Sequence, residues 1–166
     1  MVNILVLADT HIAKAGFRLP EPLVAALTQA DLILHAGDIT SAAVLRELER
    51  HAPVHAVAGN NDDPELCRSL PERTIVEAAG YRVGVVHGHG AKGTTFERAQ
   101  AAFAVAEVDC VVFGHSHQPR IERLGGRLYL NSGSPTQRRR EPLWSYAWLR
   151  ADAELTAEVV RFGRGH

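Results

Sequence analysis

VNILVLADTH, residues 2–11, is a short apolar run that stops abruptly at a carboxylate and an imidazole. Val2–Ala8 reads as a strand buried on both faces, because such strands are apolar throughout rather than alternating. Asp9 and His11 then open the loop that follows. The same switch recurs downstream. Leu32–Ala36 stops at Gly37-Asp38, Val54–Ala58 at Gly59-Asn60, Arg82–Val86 at His87, and Cys110–Phe113 at Gly114-His115. In α/β sheets, sites are built at the carboxyl ends of parallel strands, so these five ends are expected to converge on one crevice.

Working outward, Pro22–Gln29 reads as a helix with Pro in its first turn. Ser41–His51 reads as a second, opened by Ser41 as N-cap, and Thr94–Ala106 as a third. Thr74–Ala79 and Arg82–Val86 form one expected hairpin. Ile121–Leu124 and Arg127–Leu130 form another around Gly125-Gly126, and Ser145–Arg150 and Leu155–Phe162 close the chain as strands. A βαβαβ start followed by a strand-rich half is satisfied by two mixed sheets packed face to face with helices outside. Residues 1–166 are expected to form one domain.

Composition narrows the function classes. Of 166 residues, 46% are hydrophobic, and 18 basic side chains face 19 acidic ones for a net charge of -1. That balance argues against a generic polyanion binder, so nucleic acid is not an expected partner. No apolar run approaches a membrane span, and the N-terminus lacks the basic segment of a signal peptide. Cys67 and Cys110 read as reduced thiols, consistent with a cytoplasmic protein.

Each polar motif also has an ordinary structural reading. Gly37-Asp38 suits a turn or a helix cap, Gly59-Asn60-Asn61-Asp62-Asp63-Pro64 suits a turn, and a lone buried His is most often a core residue. Two His-x-His pairs at strand ends, His87-Gly88-His89 and His115-Ser116-His117, are harder to explain that way. Spacing of two in extended chain puts both side chains on one side, as it does for Asp9 and His11. Two Asp, one Asn and four or more His without Cys suit divalent Mn, Fe, Ni, Co or Zn. The donors outnumber what one tetrahedral ion needs, so two ions sharing a bridging carboxylate are expected. Such a site is net positive and attracts a phosphate ester. His35, His51, His55 and His166 receive no role. Gly88–Gly93 matches G-x-G-x-x-G before a helix, but it follows a hairpin instead of opening a βαβ unit and leaves the other motifs unexplained. Arg138-Arg139-Arg140 reads as a solvated run with room to grip a substrate phosphate. Trp144, Tyr146 and Trp148 alternate on one face of a strand as core or dimer surface.

The order D-x-H, G-D, G-N-x-D, H-G-H, G-H-x-H resembles the signature of calcineurin-like metallophosphoesterases. Chain length and Asn131-Ser132-Gly133-Ser134 resemble the small bacterial and archaeal phosphodiesterase subgroup. The resemblance implies a four-layer αββα sandwich. It implies one ion held by Asp9, His11, Asp38 and His117, and a second by Asp38, Asn60, His87 and His115, with Asp38 bridging. His87 is the implied ligand of H-G-H, leaving His89 near the substrate. Mn²⁺ is the expected ion, with Ni²⁺, Fe²⁺, Co²⁺ or Zn²⁺ as alternatives. The implied reaction is attack of a bridging hydroxide on a small phosphodiester, and the implied assembly a homodimer. Many members carry His after the metal-binding Asn, where it contacts phosphate and protonates the leaving group. Here Asn61 stands there; it can orient a phosphate but supplies no proton. The alternative is a metal-binding interaction scaffold resembling the metallophosphoesterase-like subunit of retromer, although no implied ligand is missing here.

Overall fold

In the computed structural model, which describes residues 1–163, the N-terminal apolar run forms β1 (Val2–Leu7). Its two faces serve two different cores. Ile4, Val6 and Ala8 pack with Val83, Val85, Val112 and Leu130 of a second sheet. Leu5 and Leu7 pack with Leu23 and Leu27 of α1 (Glu21–Leu27) and with Val44 and Leu48 of α2 (Ala42–Glu49). From Ile4 onward the strand, with a sheet on one side and helices on the other, exposes nothing, hence the apolar run Ile4–Ala8.

β1 lies at the centre of a five-stranded sheet. It pairs in parallel with β2 (Leu32–His35), which pairs in parallel with β3 (Val54–Ala56). On its other side it pairs antiparallel with β9 (Trp144–Ala151), which pairs with β10 (Leu155–Phe162). The second sheet has the order β4 (Arg73–Ala78), β5 (Tyr81–Val86), β6 (Cys110–Phe113), β8 (Arg127–Asn131), β7 (Arg120–Leu124). There β5, β6 and β8 run parallel, and β4 and β7 are antiparallel edges. Helix α4 (Thr95–Ala102) covers its outer face through Ala99 and Phe103. The result is the expected four-layer α/β sandwich of two mixed sheets flanked by helices. Tyr146 and Trp148 are core residues beneath the outer helices, and Cys67 and Cys110 are free thiols. Both expected hairpins form: Ala79-Gly80 and Gly125-Gly126 are two-residue turns with positive φ at both positions, the backbone that matches strand twist.

Three local expectations are corrected. The expected turn at Gly59–Pro64 leads at Pro64 into a helix that was not expected, α3 (Pro64–Ser69), because Asp63 accepts the Leu66 N–H at 2.8 Å and Pro64 presets the first turn. The third expected helix stops at Ala102 instead of Ala106. Arg127 draws the chain aside there by donating to the carbonyls of Phe103, Ala106 and Val108 at 3.0, 2.8 and 3.1 Å. Ser41 stands at the cap position of α2, but its hydroxyl makes no capping bond. His166 lies outside the described residues.

Phe103 fixes the distance between α4 and the second sheet. A Cβ on Gly84 of β5 would lie 2.8 Å from the Phe103 ring, closer than packed carbons tolerate. Gly84→Ala is therefore expected to destabilise the protein by about 1–3 kcal/mol, read as a lower denaturation midpoint. An unchanged midpoint would mean that the ring can withdraw.

Candidate metal centre

The carboxyl ends of β1, β2, β3, β5 and β6 converge, as expected. The turns that follow them are tight. Asp9, His11, Asp38, His115 and His117 all have positive φ, at 55, 46, 55, 67 and 60°. For non-glycine residues this costs on the order of 1–2 kcal/mol each, and such strain concentrates at functional sites. Glycines supply the clearance. A Cβ on Gly59 would lie 2.1 Å from Asp38 Oδ1, and one on Gly114 would lie 3.1 Å from Asp9 Oδ2.

Two groups of donor atoms result, Asp9, His11, His117 and Asp38, His87, His115, each within 4.8 Å internally. In the first, His11 Nε2 lies 3.2 Å from His117 Nε2, and His117 Nε2 lies 3.6 Å from Asp9 Oδ1. In the second, His87 Nε2 lies 3.3 Å from His115 Nδ1, 3.0 Å from Asn60 Oδ1 and 3.3 Å from Asp38 Oδ2. Asp38 Oδ2 is also 3.3 Å from His11 Nε2, so one carboxylate oxygen touches both groups. Atoms about 2.1 Å from one ion stand roughly 3.0 Å apart across an octahedral edge and roughly 3.4 Å apart across a tetrahedral one. Most of the observed spacings fall near those lengths.

The residues fit divalent cations on two further grounds. Asp9 is wholly buried, yet neither carboxylate oxygen has a hydrogen-bond partner among the described residues. An acceptor pair left this way is costly unless a cation faces it. Second, the ring tautomers are set from behind. His87 Nδ1 lies 2.7 Å from the Ala36 carbonyl, and His117 Nδ1 bonds the Gln137 carbonyl. A carbonyl only accepts, so both rings donate there and turn Nε2 inward, the arrangement typical of ligating imidazoles.

Electrostatics follow from this crowding. Burial pushes the Asp9 carboxyl up to about 7, with the Asp38 charge adding to the rise and His87 opposing it. At Asp38, burial acts upward but is outweighed by hydrogen bonds from His87 and Asn61 and the His87 charge, which hold the carboxyl well below its usual range. Burial pulls His87 down, but the hydrogen bond to Asp38 and the Asp9 and Asp38 charges carry it above its ordinary value. Burial, with the neighbouring His87 charge, takes His115 down to about 4, and burial takes His117 to about 4 as well. Those two rings keep free lone pairs at neutral pH.

The remaining residues brace the site. Asn61 donates its backbone N–H to Asp38 Oδ1 at 2.8 Å and its side-chain amide to Oδ2 at 2.9 Å, so it grips the shared carboxylate directly. His89 is exposed, outside both donor groups, with its ring 5.4 Å from that of His87. The sequence reading assigned nothing to Asp62, whose carboxylate accepts the N–H groups of Asp38, Thr40 and Gly59 at 3.2, 2.7 and 2.6 Å. It thereby ties the G-D turn to the G-N-x-D turn, and its place within G-N-x-D was the available signal. Asn131 donates to the Gly114 carbonyl at 3.0 Å, and Ser134 to the Asp9 carbonyl at 2.7 Å. His35, given no role, is buried with Nε2 3.2 Å from Thr10 Oγ1.

The Gly88–Gly93 segment, contrary to expectation, does open a βαβ unit, since β5 and β6 flank α4 in parallel. It offers no phosphate cradle. Thr94 and Glu97 form a capping box that takes the Thr94 and Glu97 N–H groups, and Arg98 takes the Gly88 and Gly93 carbonyls at 2.7 and 2.6 Å.

A sandwich of this topology with buried carboxylates and imidazoles at its strand ends defines a scaffold suited to binding divalent metal. The calcineurin-like phosphoesterase superfamily domain matches residues 2–154, and the chain belongs to that superfamily. A probable metallophosphoesterase of Methanothermobacter thermautotrophicus is 39% identical over 161 residues, 95% of this chain and 91% of its own. A phosphodiesterase of Methanocaldococcus jannaschii is 27% identical over 115 residues, covering 62% of this chain and 66% of its own. Among solved structures, a single mutant of Vps29 from Entamoeba histolytica superposes with a TM-score of 0.74 at 22% identity, covering 98% of this chain and 100% of that one. No helix among the described residues is long and apolar enough to cross a membrane.

The raised Asp9 carboxyl makes a stability prediction. A group bound to its proton more tightly in the fold stabilises below its unfolded value near 3.8, and that contribution is lost as pH rises through about 7. Asp9→Asn removes the penalty. In chelator, the variant is expected to exceed wild type in stability at pH 8 by up to about 4 kcal/mol, the gap closing toward pH 4. A variant less stable than wild type in denaturant titrations at pH 8 would refute this.

Proposed function

We propose that this chain is a metal-dependent phosphodiesterase acting on small phosphodiesters. The observation that carries the reading is the Asp38 oxygen placed 3.3 Å from Nε2 of His11 and of His87, one ring from each donor group. Asp9, His11, Asp38 and His117 would hold one ion, and Asp38, Asn60, His87 and His115 the other, with Asp38 shared. Mn²⁺ is the ion we favour, and Ni²⁺, Fe²⁺, Co²⁺ or Zn²⁺ also suit these oxygen and nitrogen donors. Two such ions, when bound, supply Lewis acidity toward phosphoryl oxygens and lower the pKa of water. The chain's own part is to hold those positions and leave one side open. Asn60, Asn61 and His89 are exposed there, and His11 and His115 half-exposed.

Asn61 serves as a positioning residue for Asp38 and a neutral donor toward phosphate; its amide has no proton to give a leaving group. The family resemblance to a phosphodiesterase of M. jannaschii supports the choice of diesters. The likeness in fold to Vps29 keeps a second reading in view, a scaffold that binds ions without turnover.

Metal-stripped protein is expected to hydrolyse bis-p-nitrophenyl phosphate only after Mn²⁺ is restored. Asp38→Ala should lower the rate by more than the roughly 10–100-fold typical of changes one shell further out. Tight ion binding without turnover would favour the scaffold. Because proton donation contributes roughly 10²–10⁴-fold, rates over a series of aryl phosphodiesters should fall steeply as leaving-group pKa rises. A flat series would show that another group protonates the leaving oxygen.

A further inference from the structure

Beside the metal centre lies a cavity of about 360 Å³ lined by Ser116, Gln118, Arg138, Arg139, Arg140 and Glu141. None of the candidate metal-holding residues lines it. Its walls are nonetheless bonded directly to them. Ser116 separates His115 from His117, and the Gln137 carbonyl, next to Arg138, accepts from His117 Nδ1. Ser134 Oγ donates to the Asp9 carbonyl and accepts the Gln137 N–H at 2.8 Å, and Thr136 Oγ1 donates to the Thr10 carbonyl. The arginine segment is thus clamped to both ends of the first donor group.

Three cations meet one carboxylate here, in a chain whose overall charge is -1. Arg138 is held in place, donating to the Glu141 carbonyl at 2.6 Å with its guanidinium 5.0 Å from the Trp144 ring centre. Arg139 adopts φ 51°, a left-handed conformation. Arg139 and Arg140 make no ion pair or side-chain hydrogen bond among the described residues. The Arg139 charge reaches Asp9, His11 and His117 across the rim of the centre, and guanidinium groups without a fixed ion pair on an anchored loop are a donor set for bidentate recognition of phosphate. Position decides which phosphate. An anion in this cavity sits next to the metal positions, not on them, so a scissile group held at the centre leaves the cavity for something else.

We propose that Arg138, Arg139 and Arg140 form a second anion subsite, which takes a further phosphate group carried by the substrate. The substrate class is then a phosphodiester bearing an additional phosphate, not a simple diester. This rests on the hydrolytic reading of the adjoining centre, and the test separates the two. Inorganic pyrophosphate is titrated into the full-length, metal-free protein in chelator, with binding read calorimetrically and by Trp144 emission. Affinity is expected to fall at least about tenfold in the Arg138→Ala, Arg139→Ala, Arg140→Ala triple variant. Arg139→Lys, which keeps charge without the fork, should fall between. An equally charged control, Arg46→Ala, Arg50→Ala, Arg161→Ala on exposed positions, should bind as wild type. Equal affinity in wild type and the first triple variant would overturn the subsite. In a second arm, Mn²⁺-loaded protein is given the p-nitrophenyl ester of thymidine 5′-phosphate with and without a 3′-phosphate. At least about a tenfold lower KM for the phosphorylated ester, lost in the triple variant, is expected. Turnover of both esters with equal KM would overturn the second phosphate. Arginine-dependent pyrophosphate binding with no turnover of either ester would leave the subsite standing and refute hydrolysis.

Discussion

The carboxylate of Asp9 is buried without a hydrogen bond, and much of the architecture is explained by what it takes to keep it there. An isolated carboxylate removed from water shifts toward its protonated form, and Asp9 does so. Nε2 atoms of His11, His117 and His87 stand around it at 3.8, 3.6 and 4.0 Å, all too long for hydrogen bonds, the first two in its own donor group. Asp9 is therefore the member of the cluster that the protein's own groups do not satisfy. Placing the cluster at the ends of parallel strands gives each donor a separate backbone anchor.

That anchoring accounts for features that look unrelated in sequence. Five left-handed non-glycine residues are tolerated because loops from distant parts of the chain hold them. The Asp9 N–H meets the Gly37 carbonyl at 3.0 Å, and the His11 N–H meets the Asp38 carbonyl at 2.9 Å. Asp62 gathers three further N–H groups, and Ser134 ties in the C-terminal half. Strain is localised in the turns while the strands beneath remain regular, with both faces buried.

The strands were legible because β1, β2, β5 and β6 lie between layers and carry predominantly apolar runs. Residues such as Asp9, Asp38, His87 and His115 were legible because they stand where those runs end. The short helix α3 was hidden by its own capping residues, since Asp63-Pro64 signals both a turn and a helix start. The early end of α4 depends on Arg127, 25 residues beyond Ala102, a long-range contact that local periodicity does not contain. The grip of Asn61 on Asp38 and of Asp62 on the Asp38 and Thr40 N–H groups likewise arises from folding back over more than 20 residues. The sequence shows which side chains can ligate, whereas the partners that orient them emerge only in three dimensions.

The orphaned carboxylate and the strained turns account for ion binding in either functional reading, so they do not by themselves separate an enzyme from a scaffold. The open side of the centre bears on that choice. A purely structural site closes its coordination shell with protein atoms. Here Asn60, Asn61 and His89 lie at the surface, and His11 and His115 retain partial exposure, so a ligand from solvent can approach both donor groups at once. The arginine cavity shares Ser116 with the loop that carries His115 and His117. Under the proposed function, a face that admitted an anion onto two cation positions, with further positive charge nearby, would suit phosphoryl transfer. A scaffold would have no need to keep these features together.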